Sequence, residues 1–127
     1  EALKVDRSGH GIAADADESV MALLAETQVP IELCPLSNVA TGSLAGIEDH
    51  PVRQFWDAGL MLTVNTDDPG MFHNSMVEEF VVLHDVFGFD RAQIKTFILN
   101  GVAASWQTAE QRAAMATAFQ AAPAWQS

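Results

Sequence analysis

Two adjacent carboxylates, Asp67 and Asp68, follow an apolar run and are the first candidates for chemistry in this sequence. The run covers residues 60–64, and its limits at Gly59 and Pro69 predict a strand buried on both faces. Side chains that end such a strand lie at the rim where parallel α/β folds keep their active sites. Adjacent side chains of an extended chain point in opposite directions, so one acid can bind a metal while the other meets a ligand.

The same residues also have a purely structural interpretation. Aspartate side chains hydrogen-bond their own backbone in turns, and proline fixes φ, so residues 67–69 taken alone favour an ordinary turn. A functional interpretation therefore needs support from elsewhere in the chain.

A histidine stands at the end of a second predicted strand. Residues 3–7 predict that strand, and residues 8–11, Ser-Gly-His-Gly, predict the loop that leaves it. Glycines on both sides of His10 allow the backbone to turn tightly around the imidazole. An imidazole titrates near neutral pH and can carry a proton in catalysis, although a lone histidine is more often structural. Both interpretations of His10 remain open at this point.

The predicted elements place these candidates on one rim. Residues 29–34 predict a strand between the other two, and a helix capped by Asp17 follows the first strand. Another helix precedes Gly59, and three later helices are expected to begin with capping boxes at residues 75–78, 90–93 and 108–111, with Ser75, Asp90 and Thr108 as the caps. This order favours a parallel sheet. The first of the three later helices is expected to turn these side chains inward: Val77, Phe80, Val81, Leu83 and Val86.

Other polar residues are interpreted as structural. Residues 34–38 are expected to form a rigid loop, since Pro35 stops ladder pairing and the following serine and asparagine bond local backbone. Cys34 is expected to be a small buried apolar residue. The remaining histidines have no metal-ligand spacing among themselves; they are His50, His73 and His84.

The composition describes one domain and disfavours several functional classes. A chain of 127 residues with 49% hydrophobic residues can bury a core, and no internal boundary is predicted within residues 1–127. Seventeen acidic against six basic residues, a formal charge of -11, repel nucleic acids and anionic membranes. No internal disulfide is possible with one cysteine, and no apolar run approaches a membrane span or a signal segment. A cytoplasmic location is therefore expected.

Three short motifs follow the three predicted strands in order. They are Ser-Gly-His-Gly at 8–11, Glu-Leu-Cys-Pro-Leu-Ser-Asn at 32–38 and Asn-Thr-Asp-Asp-Pro at 65–69. Together they resemble the adenosine and adenine deaminase family of metal-dependent (β/α)₈ barrel hydrolases, over nearly the whole chain. Three strands cannot close a barrel, which takes about eight strand–helix units and about 250 residues. The resemblance therefore implies that residues 1–127 are the C-terminal portion of one such domain, with its last three strand–helix units.

The resemblance implies roles for three side chains. Asp67 would be a zinc ligand at the end of the last barrel strand, and Asp68 would hydrogen-bond the imidazole-ring nitrogen of a purine. His10 would orient and deprotonate the zinc-bound water. General chemistry agrees, because a divalent metal lowers the pKa of its water toward about 7 and histidine titrates in that range.

The implied reaction is the hydrolytic deamination of a small-molecule aminopurine. Hydroxide adds to the purine carbon that carries the amino group, ammonia leaves and the oxo-purine remains, as in the conversion of adenosine to inosine. Adenine is the alternative substrate, because sugar recognition in the family depends largely on parts of the barrel that are absent here.

Other parts of the family's metal site have no counterpart in this sequence. They are a His-x-His pair from the first strand, a histidine from the fifth, and the proton-donating glutamate that follows it. A catalytic zinc ion needs about three protein ligands and an open position. The chain alone is therefore expected to be metal-poor and inactive. Its open edges are expected to favour self-association or a partner chain.

Two other functional classes are alternatives to the deaminase. A non-catalytic α/β interaction module would keep the strand-end loops as architecture only. A phosphoryl-transfer response regulator would use Asp67 and Asp68, but no third acid or lysine stands at a comparable strand end. The interaction module is thus the stronger alternative.

Overall fold

The computed structural model describes residues 4–125, whose elements alternate between short strands and helices. The strands are β1 (Ser8–Gly9), β2 (Ile31–Leu33) and β3 (Leu62–Val64). The helices are α1 (Glu18–Thr27), α2 (Pro35–Ala40), α3 (Val52–Asp57), α4 (Pro69–Phe72), α5 (Met76–Asp85), α6 (Arg91–Ala104) and α7 (Ala109–Ala121). Short 3₁₀ helices lie at Gly11–Ala16, Ile47–Asp49 and Pro123–Trp125.

The three strands form a parallel sheet in the order β1-β2-β3. Ser8 pairs with Ile31, and Ile31 pairs with Leu62, so the carboxyl ends of all three strands lie at one edge. The predicted parallel α/β fold is therefore confirmed. Within residues 4–125, β1 and β3 each pair on one side only, so the sheet is not closed into a barrel.

The core lies between one face of the sheet and the flanking helices. Alternate strand residues share this face, and the buried set is Ile31, Leu33, Leu62 and Val64. Aromatic rings from the segment between α5 and α6 and from α6 itself belong to the same core: Phe89 and Phe97 meet edge to face with centroids 5.1 Å apart. This packing fixes the strands whose ends carry the candidate residues. No helix among residues 4–125 has the length and apolarity to cross a membrane.

Truncation of Phe97 should lower the free energy of unfolding by about 3–5 kcal/mol. The ring is 1% exposed and also packs on Trp56, with centroids 4.9 Å apart, so Phe97→Ala leaves a cavity. Urea titration measures the loss. Val77→Ala is the control: its side chain is 71% exposed, and the change should stay within about 0.5 kcal/mol. Equal effects of the two substitutions would contradict the assigned core.

The first strand lies later in the chain than its pattern predicts. A strand over 3–7 is wrong: residue 3 lies outside the described residues, and residues 4–7 are not strand. Ladder bonding begins instead where the Ser8 N–H donates to the carbonyl of Pro30 at 2.9 Å. Pro30 has no N–H to extend the pairing backwards, and Lys4 has a φ of 47°, which is not extended backbone.

Two local predictions are wrong for identifiable reasons. Residues 34–38 form no rigid loop, because Pro35 occupies the first turn of α2, where its fixed φ favours a helix. On α5, Leu83 is buried as predicted, but Val77, Val81 and Val86 are exposed. The buried stripe of α5 instead joins Leu83 to Glu79, four residues earlier and 0% exposed.

The predicted helix starts at four polar residues are confirmed. Each side chain accepts a hydrogen bond from a backbone N–H in the first turn of its helix. The backbone N–H groups of Asp90 and Thr108 also donate the reciprocal bond of a capping box, to the side chains of Gln93 and Gln111. The four residues are Asp17, Ser75, Asp90 and Thr108.

His50 is a buried histidine before α3, 3% exposed. Its Nδ1 accepts a hydrogen bond from the Val52 N–H at 3.1 Å, and its ring lies edge-on to Phe87 with centroids 6.2 Å apart. Burial lowers the pKa of His50 to about 4. The imidazole is therefore neutral near pH 7, in agreement with the predicted structural role.

Acid should destabilise the chain through His50. Between pH 6.5 and about 4 the unfolded chain binds a proton here that the folded chain does not. The contribution of neutral His50 to the free energy of unfolding is fully present above pH 6.5. On the order of 3 kcal/mol of that free energy is lost as the pH falls from 6.5 to about 4. His50→Asn keeps an acceptor for the Val52 N–H but removes the titration. Urea titrations should show the steeper pH dependence in wild type, and parallel curves would contradict the assignment.

Candidate functional site

His10 and Asp67 meet at the carboxyl edge of the sheet. His10 directly follows β1, and Asp67 stands three residues after β3. The His10 Nε2 lies 3.6 Å from the Asp67 Oδ2. Their side chains are 50% and 36% exposed, so a ligand at this edge could reach both. Two residues far apart in the sequence thus share one site, as the parallel order predicts.

Both residues have left-handed backbone conformations. The φ angles are 51° for His10 and 59° for Asp67. Such angles are uncommon outside glycine, although aspartate and histidine adopt them more readily than most residues. They cost about 1–3 kcal/mol each and persist where the surroundings hold them, often at functional sites. The turns redirect the chain after each strand and bring the two side chains together.

Ser37 connects the end of the middle strand to the same site. It lies in α2, directly after β2, and is 1% exposed. Its Oγ donates a hydrogen bond to the Asp67 Oδ2 at 2.7 Å. All three strand ends therefore contribute a side chain. Ser37 was not among the predicted site residues, although it stands in the second strand-end motif.

Asp68 starts the helix that follows Asp67. Its Oδ1 accepts a hydrogen bond from the Met71 N–H at 2.9 Å, which makes Asp68 the N-cap of α4. The structural interpretation of this carboxylate as a local backbone partner is thus correct for one of its oxygens. The cap also fixes where Asp68 stands on the rim.

Cys34 is a buried, unreactive residue near this site. It is 4% exposed, and burial, followed by the nearby charge of Asp67, raises the pKa of its thiol to about 12. A neutral thiol is neither a nucleophile nor a ready metal ligand. The prediction that Cys34 is a small buried residue is confirmed.

The described residues do not by themselves form a zinc site. Among residues 4–125, no group of three or more His, Cys, Asp or Glu side chains is placed to hold a metal ion. Asp67 can supply one ligand, whereas catalytic zinc takes about three. The imidazoles of His50 and His84 bond backbone groups instead, Val52 N–H and the Phe89 carbonyl.

Comparison with known proteins identifies close relatives along nearly the whole chain. The adenosine deaminase family model matches residues 1–122. An adenosine deaminase of Clostridium acetobutylicum is 41% identical over 108 residues, covering 85% of this chain and 32% of that protein. An aminodeoxyfutalosine deaminase of Streptomyces coelicolor is 37% identical over 114 residues, covering 90% of this chain and 30% of that protein. The chain thus spans about a third of the length of these relatives.

Solved structures share the same arrangement of elements. An adenine deaminase from Arthrobacter aurescens has a TM-score of 0.86 and 32% identity, covering 92% of this chain and 36% of that one. An amidohydrolase from Burkholderia ambifaria, solved with bound Zn, has a TM-score of 0.85 and 29% identity, covering 99% of this chain and 35% of that one. With its parallel strand order and a family match over residues 1–122, this chain belongs to the adenosine deaminase family, and its open sheet folds as part of a (β/α)₈ barrel.

Proposed function

We propose that this chain supplies the C-terminal part of the active site of a zinc-dependent deaminase, which converts an aminopurine to the oxo-purine and ammonia. One observation carries the proposal: His10 Nε2 lies 3.6 Å from Asp67 Oδ2 at the rim where α/β barrels bind substrates. Membership of the deaminase family supports it.

Asp67 is the residue we assign to zinc. The Ser37 hydroxyl donates to its Oδ2, the same oxygen that lies 3.6 Å from the His10 Nε2, so the carboxylate is held beside His10. Zinc, when bound, lowers the pKa of a coordinated water molecule, so that hydroxide is available near neutral pH. The remaining ligands would come from strands of the barrel outside this chain, because residues 4–125 contain no cluster of three potential metal ligands.

His10 and Asp68 complete the proposed roles. His10 is half-exposed beside Asp67, so its imidazole can accept the proton of the attacking water and pass it on. The Asp68 Oδ1 is engaged by the Met71 N–H. We assign its Oδ2 to the imidazole-ring nitrogen of the purine.

Adenosine is the first substrate to test, because the curated relative with 41% identity is an adenosine deaminase. Adenine is the second candidate, which the adenine deaminase structure with a TM-score of 0.86 favours. Aminodeoxyfutalosine is the third substrate to test, because the Streptomyces coelicolor relative is an aminodeoxyfutalosine deaminase.

A chimaeric enzyme tests the function. This chain would replace the matching third of the Clostridium acetobutylicum adenosine deaminase, and we call the product the completed barrel. We expect it to bind about one zinc ion and to release ammonia from adenosine or adenine. A folded, zinc-loaded completed barrel without activity on adenosine, adenine or aminodeoxyfutalosine would contradict the proposal and favour the interaction module.

The chain on its own should be zinc-poor and inactive, because one carboxylate cannot hold a catalytic zinc ion. Metal analysis after dialysis against zinc should find far less than one ion per chain. Stoichiometric zinc in a protein that light scattering shows to be a monomer would refute this expectation.

Both open edges of the sheet carry apolar surface that the rest of a barrel could cover. A cavity of about 750 Å³ lies beside β1, lined by residues that include Val20, Leu24 and Ile31. A smaller one of about 310 Å³ lies beside β3, next to Phe80 and Phe97. Self-association of the isolated chain over these surfaces stays a prediction, and a stable monomer in light scattering would count against it.

Removal of the Ser37 hydroxyl should weaken zinc binding to the completed barrel. Ser37→Ala breaks the 2.7 Å bond that orients the Asp67 carboxylate, and losses of this kind typically cost 10–100-fold in metal affinity. A competing chelator measures the change. Ser43→Ala, an exposed serine shortly after α2, is the matched control and should have no effect. Equal zinc affinity in both variants would contradict the orienting role of Ser37.

A further inference from the structure

Glu79 is a fully buried carboxylate outside the site described above. It lies on α5 with 0% exposure, and neither ion pair among residues 4–125 includes it. Its Oε2 accepts a hydrogen bond from the Leu36 N–H at 3.3 Å, and its Oε1 accepts one from Asn74 Nδ2 at 2.7 Å. Burying a carboxylate without a cation is costly, and an apolar residue would fill the same space at less cost.

One side of Glu79 leads to the segment that carries Asp67. Asn74 Nδ2, which donates to Glu79, also donates to the carbonyl of Thr66 at 3.0 Å. Thr66 directly precedes Asp67, whose left-handed backbone has a φ of 59°. The Asn74 amide therefore ties α5 to the turn that aims the Asp67 carboxylate.

The other side of Glu79 leads to the segment that carries Ser37. Leu36, whose N–H donates to Glu79, directly precedes Ser37 in α2. Ser37 in turn donates to Asp67 at 2.7 Å. The contacts thus form a closed ring in which Glu79 joins the segments after β2 and β3 from below, while the Ser37–Asp67 bond joins them at the rim.

We propose that Glu79 is a positioning residue, which holds the Ser37 and Asp67 segments in register so that the Asp67 carboxylate faces His10. The inference rests on the proposed zinc role of Asp67. A strained turn keeps its geometry only where surrounding bonds hold it, and Glu79 supplies acceptors for donors from both segments. Burial raises the pKa of Glu79, and the bonds from Leu36 and Asn74 oppose that shift by stabilising the ionised form.

Glu79→Gln in the completed barrel tests the proposal, because it keeps the size of the side chain but replaces one acceptor oxygen by a donor. Either the Leu36 N–H or the Asn74 amide then loses its acceptor. We expect zinc affinity, measured with a competing chelator, and kcat each to fall at least about 10-fold, with KM within about threefold. The split between kcat and KM separates a misplaced Asp67 from a lost substrate contact.

Two controls on the same helix separate positioning from stability. Glu78→Gln makes the same chemical change on the neighbouring exposed glutamate and should leave zinc affinity and kcat unchanged. Leu83→Ala truncates a core side chain of 0% exposure, so it should lower Tm. At temperatures below the unfolding transition, zinc affinity and kcat should be unchanged.

The proposal is overturned if Glu79→Gln behaves as Leu83→Ala does, with lower Tm but zinc affinity and kcat within about twofold of the parent. If Glu79→Gln does not fold, Asn74→Ala decides, because it cuts only the link to Thr66. The same losses support the proposal, and unchanged zinc affinity and kcat overturn it. Failure of the proposed function would give a different result, because the completed barrel without substitutions would then be inactive. Its zinc affinity, compared with that of Glu79→Gln, would still test the positioning role of Glu79.

Discussion

Asp67→Ala should abolish zinc binding by the completed barrel and lower kcat by about 1,000-fold or more. The change removes the metal ligand that we propose this chain contributes. The electrostatic contribution of a metal ion is worth several kcal/mol, and each 1.36 kcal/mol is a factor of ten in rate. It also removes the acceptor of the Ser37 hydrogen bond and the partner of His10. Metal analysis and the rate of ammonia release measure the two effects.

The control for Asp67 is Asp57→Ala, which removes an exposed carboxylate at the end of α3. It makes the same change in net charge away from the carboxyl edge of the sheet, so zinc content and kcat should match the parent. Retained zinc and activity in Asp67→Ala would show that Asp67 is no ligand and would refute the assignment.

His10→Asn should lower kcat of the completed barrel by about 100- to 10,000-fold, the usual contribution of a general acid or base. Asparagine tolerates the left-handed backbone that His10 adopts, with φ at 51°, so the turn after β1 should survive. Zinc content should remain near that of the parent because His10 is assigned to proton transfer.

His73→Asn is a closely matched control for His10. His73 is also exposed and also left-handed, with a φ of 52°, but it ends α4 and has no assigned role. Its substitution should leave kcat unchanged. Activity of His10→Asn within about tenfold of the parent, or loss of its zinc, would contradict the role proposed for His10.

Local patterns were sufficient to predict the parallel fold and the meeting of His10 with Asp67. The apolar run before Asp67 indicates a buried strand, and strand–helix alternation favours parallel pairing, which aligns the carboxyl ends. The helix starts were also predictable, because capping depends on residues three apart, as in Asp90 with Gln93.

Features that depend on distant partners were not predictable in the same way. The start of β1 follows from Pro30, the residue before the neighbouring strand β2, because proline cannot donate a ladder bond. Burial of Glu79 depends on the Leu36 N–H, which is 43 residues away and has no local signature. Ser37 could have been recognised only by asking which side chain orients a ligand at the end of the adjacent strand.

The most direct test of the site is the position of zinc in crystals of the completed barrel, located by anomalous scattering at the zinc edge. We expect one peak about 2.0–2.2 Å from an Asp67 carboxylate oxygen, with the His10 imidazole beside it. A fully occupied zinc ion that Asp67 does not contact would contradict the proposed deaminase centre.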